Sequence, residues 1–445
     1  MRTLVVGTIF DGLGGGSDVN FEILKVLPKI GMDVTLQVPT FYLHRSVYAY
    51  LSGSSKRPIE NPLDRIDSVI QSGVHVPDYV QKELRKLLDD YSKRIPGYND
   101  IASFSAVFRT LRMDRKNSYT LRSTDKYDYV LAMNEIYPVF KCAIDAARIA
   151  PALKCVVMLH TEPYRNKYQS ASGTSVDSIL GKLRNAISRN SWKNALNHNL
   201  IIGFTAPSLS PLINSGLDTE IRRKDIPLYI PDPPWCLSSV FYESRMLKDK
   251  KGVIFISRLV QDKGLLEIPS IVSRLPEKRI IVLGEFTREE DRVEFFKLAD
   301  EYSISVDYLG FLNHQDLAPI LAKHKVLLYP SHADAFPLTV AQAIATGTSV
   351  VAYDIPAIKM NYSGLDSVSI VKEWDKDAMA SEINNILDMS DDEYAQMHNS
   401  NTESEFIQKF KDCDKIWRGY AEWINDLMKY MEEMCKSLNG EGRKL

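Results

Sequence analysis

Short apolar runs that end in loops and lead into stretches of helical spacing recur along this chain. Leu4-Val5-Val6 opens the series, followed by the glycine loop Gly12-Leu13-Gly14-Gly15-Gly16 and by apolar positions at Phe21, Leu24, Leu27 and Ile30. Asp33 to Val38 reads as the next strand, so the chain opens as a β-loop-α-β unit. Further runs at Tyr129–Met133, Cys155–Leu159 and Leu200–Phe204 continue it. Between them, residues 41–125 are patterned as a mainly helical excursion, with Tyr79 to Tyr91 amphipathic. A second series begins at Gly252. It predicts strand Val253–Ser257, a helix from Leu265, strand Arg279–Leu283, helix Arg288–Tyr302, strand Val306–Leu309 and helix Asp316–Lys323. A later helix begins near Asp377. A stripe of Trp417, Tyr420, Ala421, Ile424, Leu427, Met428 and Met431 predicts a C-terminal helix that packs on either lobe.

Tyr329 to Asp354, YPSHADAFPLTVAQAIATGTSVVAYD, is the most informative stretch. Val326 to Tyr329 reads as a buried strand, Pro337 suits the first turn of a helix, and Gly347 suits a left-handed stop before strand Ser349–Ala352. The loop Ser331 to Phe336 thus feeds a helix tip at the carboxyl end of a strand, where parallel sheets bind ligands. The N–H groups of Leu338 and Thr339 and the helix dipole suit a phosphate. Gln342 shares their face, within reach of a sugar hydroxyl. The plain alternative is a well-capped helix with no ligand.

Ile230-Pro231-Asp232-Pro233-Pro234 is the clearest linker. Three segments result: an N-terminal lobe at 1–235, a second lobe at 250–415, and a terminal helix at 416–445. Each lobe has the alternating pattern of a Rossmann-like α/β unit.

Composition narrows the function. At 445 residues the chain exceeds one ordinary core, and 44% hydrophobic with 25% charged residues is a folded, soluble balance. A net charge of -2 supplies no field for nucleic acid. The five cysteines are scattered without a CxxC spacing, which argues against a disulfide framework and fits a reducing, cytoplasmic setting. The eight histidines form no HExxH, so no metal and no bound cofactor is expected. The N-terminal MRTLVVG is read as a first strand rather than a signal peptide, because Asp11 and the glycine loop break the apolar run. No segment approaches membrane-spanning length. Residues 104–122, rich in arginine and aromatics, fit either a solvated face or a peripheral contact with anionic lipid.

The first loop lacks GxGxxG, since Ser17 replaces the third glycine, so a dinucleotide cofactor is discounted. Asp375-Lys376-Asp377 and Asp412-Cys413-Asp414 have the form of a metal-holding DxD, and helix capping explains the first better. Arg258 and Lys263 follow the first strand of the second lobe and project from the same loop edge as residues 334–342. Two cations beside a helix tip make an anion site; a structural ion pair is the alternative for each alone. His160 ends the strand Cys155–Leu159, where a histidine meets a substrate or simply packs.

With these residues in place, SRLVQDKG, VLGEF, YLGFL and ADAFPLTVAQAIATGTSVVAYD resemble the retaining GT-B glycosyltransferases, family 4-like (glycosyl transferases group 1). The resemblance is weaker over the first lobe, where the glycine loop and LHTEP carry it. It implies two Rossmann-like lobes around a cleft and transfer of a hexose from a nucleotide sugar, with retention and without metal, to a glycan, lipid-linked or other hydroxyl acceptor. By resemblance, Arg258 and Lys263 hold the donor diphosphate, Gly15 and Gly16 let the first lobe approach it, and His160 touches the sugar. Phe336, Pro337, Leu338 and Thr339 bind the donor, the last two holding its phosphate through the backbone; Phe311 and Leu312 fall where the base is read. The family carries two glutamates separated by seven residues, and here Asp334 and Gln342 occupy those positions. Asp334 then faces the sugar and Gln342 the ribose, with weaker donor binding expected. The resemblance further implies that the departing phosphate oxygen takes the acceptor's proton. The competing expectations are a catalytically degenerate sugar-nucleotide-binding protein and a phosphorylase or synthase on the same fold. A lipid-linked acceptor would place the protein at the inner membrane face.

Overall fold

The computed structural model describes residues 2–8, 15–53, 59–97, 100–101, 109–117, 127–149, 154–159, 179–198, 200–205, 209–224, 226, 228–229 and 235–440. Two parallel sheets, each of six strands, organise it. The first holds β1 (Arg2–Val6), β2 (Asp33–Gln37), β3 (Tyr129–Ala132), β4 (Lys154–Met158), β5 (Ile201–Thr205) and β6 (Leu228–Tyr229) in the order β2-β1-β3-β4-β5-β6. The second holds β7 (Val253–Ile256), β8 (Arg279–Leu283), β9 (Ser305–Gly310), β10 (Val326–Tyr329), β11 (Ser349–Tyr353) and β12 (Val368–Val371) in the order β12-β11-β10-β7-β8-β9.

The central strands β7, β10 and β11 are buried at every position, as strands covered by helices on both faces require. The edges β9 and β12 are half-exposed. The second sheet grows from β7 through β8 to β9 in one direction, then restarts at β10 and grows through β11 to β12 in the other. Strand order therefore reverses between β7 and β10, and the loops after those two strands diverge to leave a crevice at their carboxyl ends. The first sheet reverses in the same way between β1 and β3.

The helical excursion is present as helices Thr40–Ser52, Pro62–Gln71, Asp78–Lys93 and 109–117. Most expected strands lie within a residue or two of their observed ends. β6 and β12 had no expectation, because two- and four-residue half-buried strands carry little pattern.

Helix Cys413–Gly440 returns from the second lobe to the first. Tyr420, Ala421, Ile424 and Leu427 join the first lobe's core, the helix packs on helix Gly15–Val26, and Tyr420 Oη lies 2.9 Å from Thr205 Oγ1. Both DxD sequences serve as caps: Asp375 accepts from Ala378 N–H at 2.9 Å and Asp412 from Lys415 N–H at 3.0 Å. The reading of the scattered cysteines against a disulfide framework missed one bridge. Cys236 and Cys413 form a disulfide, Cα–Cα 5.0 Å, across a separation of 177 residues that no local spacing reveals. Cys142 and Cys155 are buried free thiols.

Candidate functional site

The site is built from the two loops that flank the β7–β10 crevice. After β7 the chain passes Ser257 and Arg258 and makes a tight turn at Gln261–Lys263. Gly264 ends that turn at φ +72°, where an added Cβ would stand 2.2 Å from Pro330 O. Only glycine lets the first loop press against the end of β10 this closely. Lys263 is thereby directed across the crevice. Its Nζ lies 2.5 Å from Asp334 Oδ2 and donates to Ala333 O at 2.7 Å. Tyr329, the last residue of β10, donates its hydroxyl to the same Asp334 oxygen. Burial, then the Asp334 charge, pushes the Tyr329 phenol well above its ordinary range, so it stays a donor. Oδ1 of Asp334 takes no bond among the described residues and can accept from a hydroxyl.

Arg258 is exposed and forms no ion pair with a described residue. Pro337 is the N-cap of helix Leu338–Ala345 rather than its first residue. A proline has no side-chain acceptor, so nothing caps Leu338 and Thr339, and their N–H groups open beyond the helix end. Gly347 adopts φ +74°, and a Cβ there would meet Met246 O at 2.5 Å. The held cation Lys263 and the uncapped helix tip thus lie on the two loops that end β7 and β10, and exposed Arg258 lies on the first of these loops.

Other residues named from the sequence have different surroundings. Gln342 is only 7% exposed, one turn inside the helix. Phe336 turns inward against Trp235, Tyr362 and Phe410, with ring centroids 5.7–5.9 Å away. Pro337 is buried, and its carbonyl accepts from Tyr362 Oη at 2.9 Å. Phe311 and Leu312 are half-buried beyond β9. Gly15 and Gly16 begin helix Gly15–Val26. His160 and the Pro231 linker lie outside the described residues, as does most of 104–122 apart from helix 109–117.

Sequence reasoning missed the support beneath the loop. His332 is buried, its Nε2 is 2.5 Å from Glu267 Oε1, and its Nδ1 is 2.8 Å from Glu373 Oε1. These residues are too far apart in sequence for any spacing to connect them. A second constellation, Ser349–His398–Glu403, has the outline of a nucleophile triad at 2.9 and 3.1 Å. All three side chains are fully buried, so no substrate reaches them, and they fasten the late helices to β11.

The fold defines a two-lobed α/β protein of GT-B architecture. Residues 241–404 match the family described as "Glycosyl transferases group 1". Over this second lobe the chain is similar to that family. It is 29% identical over 155 residues to the Arabidopsis thaliana sulfoquinovosyl transferase SQD2, covering 34% of this chain and 27% of that protein. It is 27% identical over 147 residues to a phosphatidyl-myo-inositol mannosyltransferase of Mycolicibacterium smegmatis, covering 32% of this chain and 37% of that one. The chain therefore spans well under half the length of these curated relatives. Among solved structures, sucrose-phosphate synthase of Thermosynechococcus elongatus matches with TM-score 0.64 at 14% identity, covering 97% of this chain and 100% of that one. HepE of Anabaena, solved with UDP and glucose, matches with TM-score 0.58 at 15% identity, covering 96% and 100%. At such identities these structures speak for the fold.

Proposed function

We propose that this protein transfers a hexose from a nucleotide sugar to a hydroxyl acceptor, with retention and without a metal. The observation that carries the reading is the Lys263–Asp334 pair beside the uncapped tip of helix Leu338–Ala345, with exposed Arg258 on the loop after β7, in a lobe similar to the group 1 family.

In this reading the diphosphate sits between the helix tip and Arg258, with Lys263 on its sugar side. As the glycosidic bond breaks, negative charge grows on the leaving phosphate oxygen. Preplaced cations and N–H groups stabilise that charge without rearranging. Asp334 Oδ1 accepts from a sugar hydroxyl, and the Lys263 and Tyr329 bonds to Oδ2 fix its direction. The departing phosphate oxygen takes the acceptor's proton. Gln342 holds the ribose by a neutral bond, weaker than a carboxylate's.

A lipid-linked acceptor at the inner membrane face is the acceptor class we favour. The names of the relatives support it: they include a digalactosyldiacylglycerol synthase and a phosphatidylinositol N-acetylglucosaminyltransferase subunit. Helix 109–117 adds exposed Arg109, Arg112, Arg115 and Lys116 around an exposed Met113. No described helix is long and apolar enough to cross a membrane. Incubation with UDP-, GDP- and ADP-sugars and a polyisoprenyl phosphate or diacylglycerol acceptor tests the reading. Transfer that survives EDTA supports it, and binding of a donor without transfer to any acceptor favours a non-catalytic sugar-nucleotide-binding protein instead.

A further inference from the structure

We infer that His332, clamped between Glu267 and Glu373, is a positioning residue that sets Asp334 and Lys263 for the transfer step. The inference rests on the reading of those two residues as donor-handling groups.

Both ring nitrogens of His332 face carboxylate oxygens, Nε2 toward Glu267 at 2.5 Å and Nδ1 toward Glu373 at 2.8 Å. A neutral imidazole offers one N–H and one lone pair, and the lone pair would repel whichever carboxylate it faced. The arrangement is satisfied when both nitrogens donate. Burial disfavours that charged ring, but the bonds and charges of Glu267 and Glu373 outweigh it and hold the His332 pKa above its ordinary value. Glu267 is fixed in turn by Tyr353 Oη at 2.8 Å. Trp374 stacks on the imidazole with centroids 3.7 Å apart and planes 20° apart. Its backbone sits at φ +72°, a conformation costly to a non-glycine residue, which places the indole over the ring.

The clamp reaches the site through the backbone. His332 N–H donates to Asp262 O at 3.0 Å, so the residue before Lys263 is tied to the loop that carries Asp334 two positions on. Lys263 closes the same circuit through Ala333 O and Asp334. The ring anchors the 331–334 loop on one side, and the Lys263 pair anchors it on the other. Among the described residues, the titratable groups around the ring include Glu267 from its 3-10 turn and Glu373 after β12, with Tyr353 from the end of β11 on Glu267, Asp375 acting on Tyr353, and Asp262 bonded through its backbone at the Lys263 turn. With the ring charged, the Glu267–His332–Glu373 trio carries one net negative charge; with it neutral, the trio carries two and one carboxylate loses the N–H it accepts from His332. Losing the proton therefore loosens the loop and lets Asp334 and Lys263 drift, which slows the step that needs them aligned.

The test uses the full-length protein and measures kcat and donor KM against pH for wild type, Glu373→Gln and His332→Gln. Glutamine at 373 still accepts from Nδ1 but removes one charge, so His332 gives up its proton at lower pH. The alkaline limb of kcat should move down by about one pH unit in Glu373→Gln, since one favourable charge is lost. In His332→Gln that limb should disappear and kcat at pH 7 should fall at least about ten-fold with KM changed less, as expected when alignment is lost but binding is kept. Histidine NMR follows the His332 proton, and amide exchange follows residues 331–336, in the same samples. A His332 titration that moves in Glu373→Gln while neither kcat nor loop exchange follows it overturns the inference. If no donor turns over, the transfer reading fails by itself, and loop exchange that tracks the His332 proton still upholds the clamp.

Discussion

Lys263 Nζ lies 2.5 Å from Asp334 Oδ2, joining the two loops that flank the point where the second sheet reverses its order. The pair brings the cation and the carboxylate that handle phosphate and sugar in the proposed reaction into one hydrogen-bonded unit. Replacing Lys263 by Ala removes phosphate stabilisation and frees the Asp334 carboxylate together. Transfer should fall about 100-fold or more, and Arg258→Ala should lose a similar factor while leaving the Asp334 contacts intact. Steady-state kinetics with the preferred donor checks both; wild-type rates in either would remove that residue from the site.

Gly264 controls how near the loops stand. Gly264→Ala puts a Cβ where Pro330 O already is and imposes φ +72° on an L side chain. Destabilisation of more than about 1–2 kcal/mol is expected, with loss of donor binding beyond what reduced folding explains. Urea melts and donor calorimetry on the same preparation separate the two effects.

In the proposed reaction Gln342 is the weak point of the donor grip. Gln342→Glu converts a neutral bond to ribose into a charge-assisted one, and donor affinity should rise about five-fold, or about 1 kcal/mol. Affinity equal to wild type would show that the ribose is held elsewhere.

The second lobe's strands and the loops that end them were readable because each lies next to an apolar run. Lys263-Gly264 and Asp334 to Gln342 each follow an apolar run, and a loop after a buried parallel strand is already a ligand position. What the sequence left open depends on contacts without periodicity. Glu267 and Glu373 meet across His332 although nothing in their spacing pairs them. Phe336 was named as a donor contact from its neighbours, yet one residue decides whether a ring enters the crevice or the core. The amphipathic terminal helix was legible as a helix, but its apolar stripe would suit either lobe; only packing shows that Tyr420 and Ile424 complete the first core. The disulfide was hidden for the same reason.

That disulfide ties the chain just beyond the linker to the start of the returning helix. A closed loop of this length restricts the unfolded chain, so reduction should cost about 2–5 kcal/mol. Thermal melts with and without reductant should separate for wild type and coincide for Cys236→Ser/Cys413→Ser.

Two buried histidines contribute to stability with opposite pH dependence. Burial, only partly offset by Glu403, holds His398 below its ordinary value of 6.5. The unfolded chain therefore binds the extra proton first, and stability drops as pH falls below about 6.5. His332 has the opposite sign: its folded pKa is raised, so its contribution is full below 6.5 and is lost as pH rises through the folded value. Glu373→Gln should shift the His332-linked fall in denaturant midpoint to lower pH than in wild type.

The central claim is that the β7–β10 crevice binds a nucleotide sugar and cleaves it. Calorimetry and product analysis with a panel of UDP-, GDP- and ADP-hexoses test it most directly. The account predicts that at least one donor binds, that its nucleoside diphosphate is released when an acceptor is present, and that both signals are lost in Lys263→Ala. No binding of any donor at millimolar concentration, or undiminished binding and release in Lys263→Ala, would contradict it.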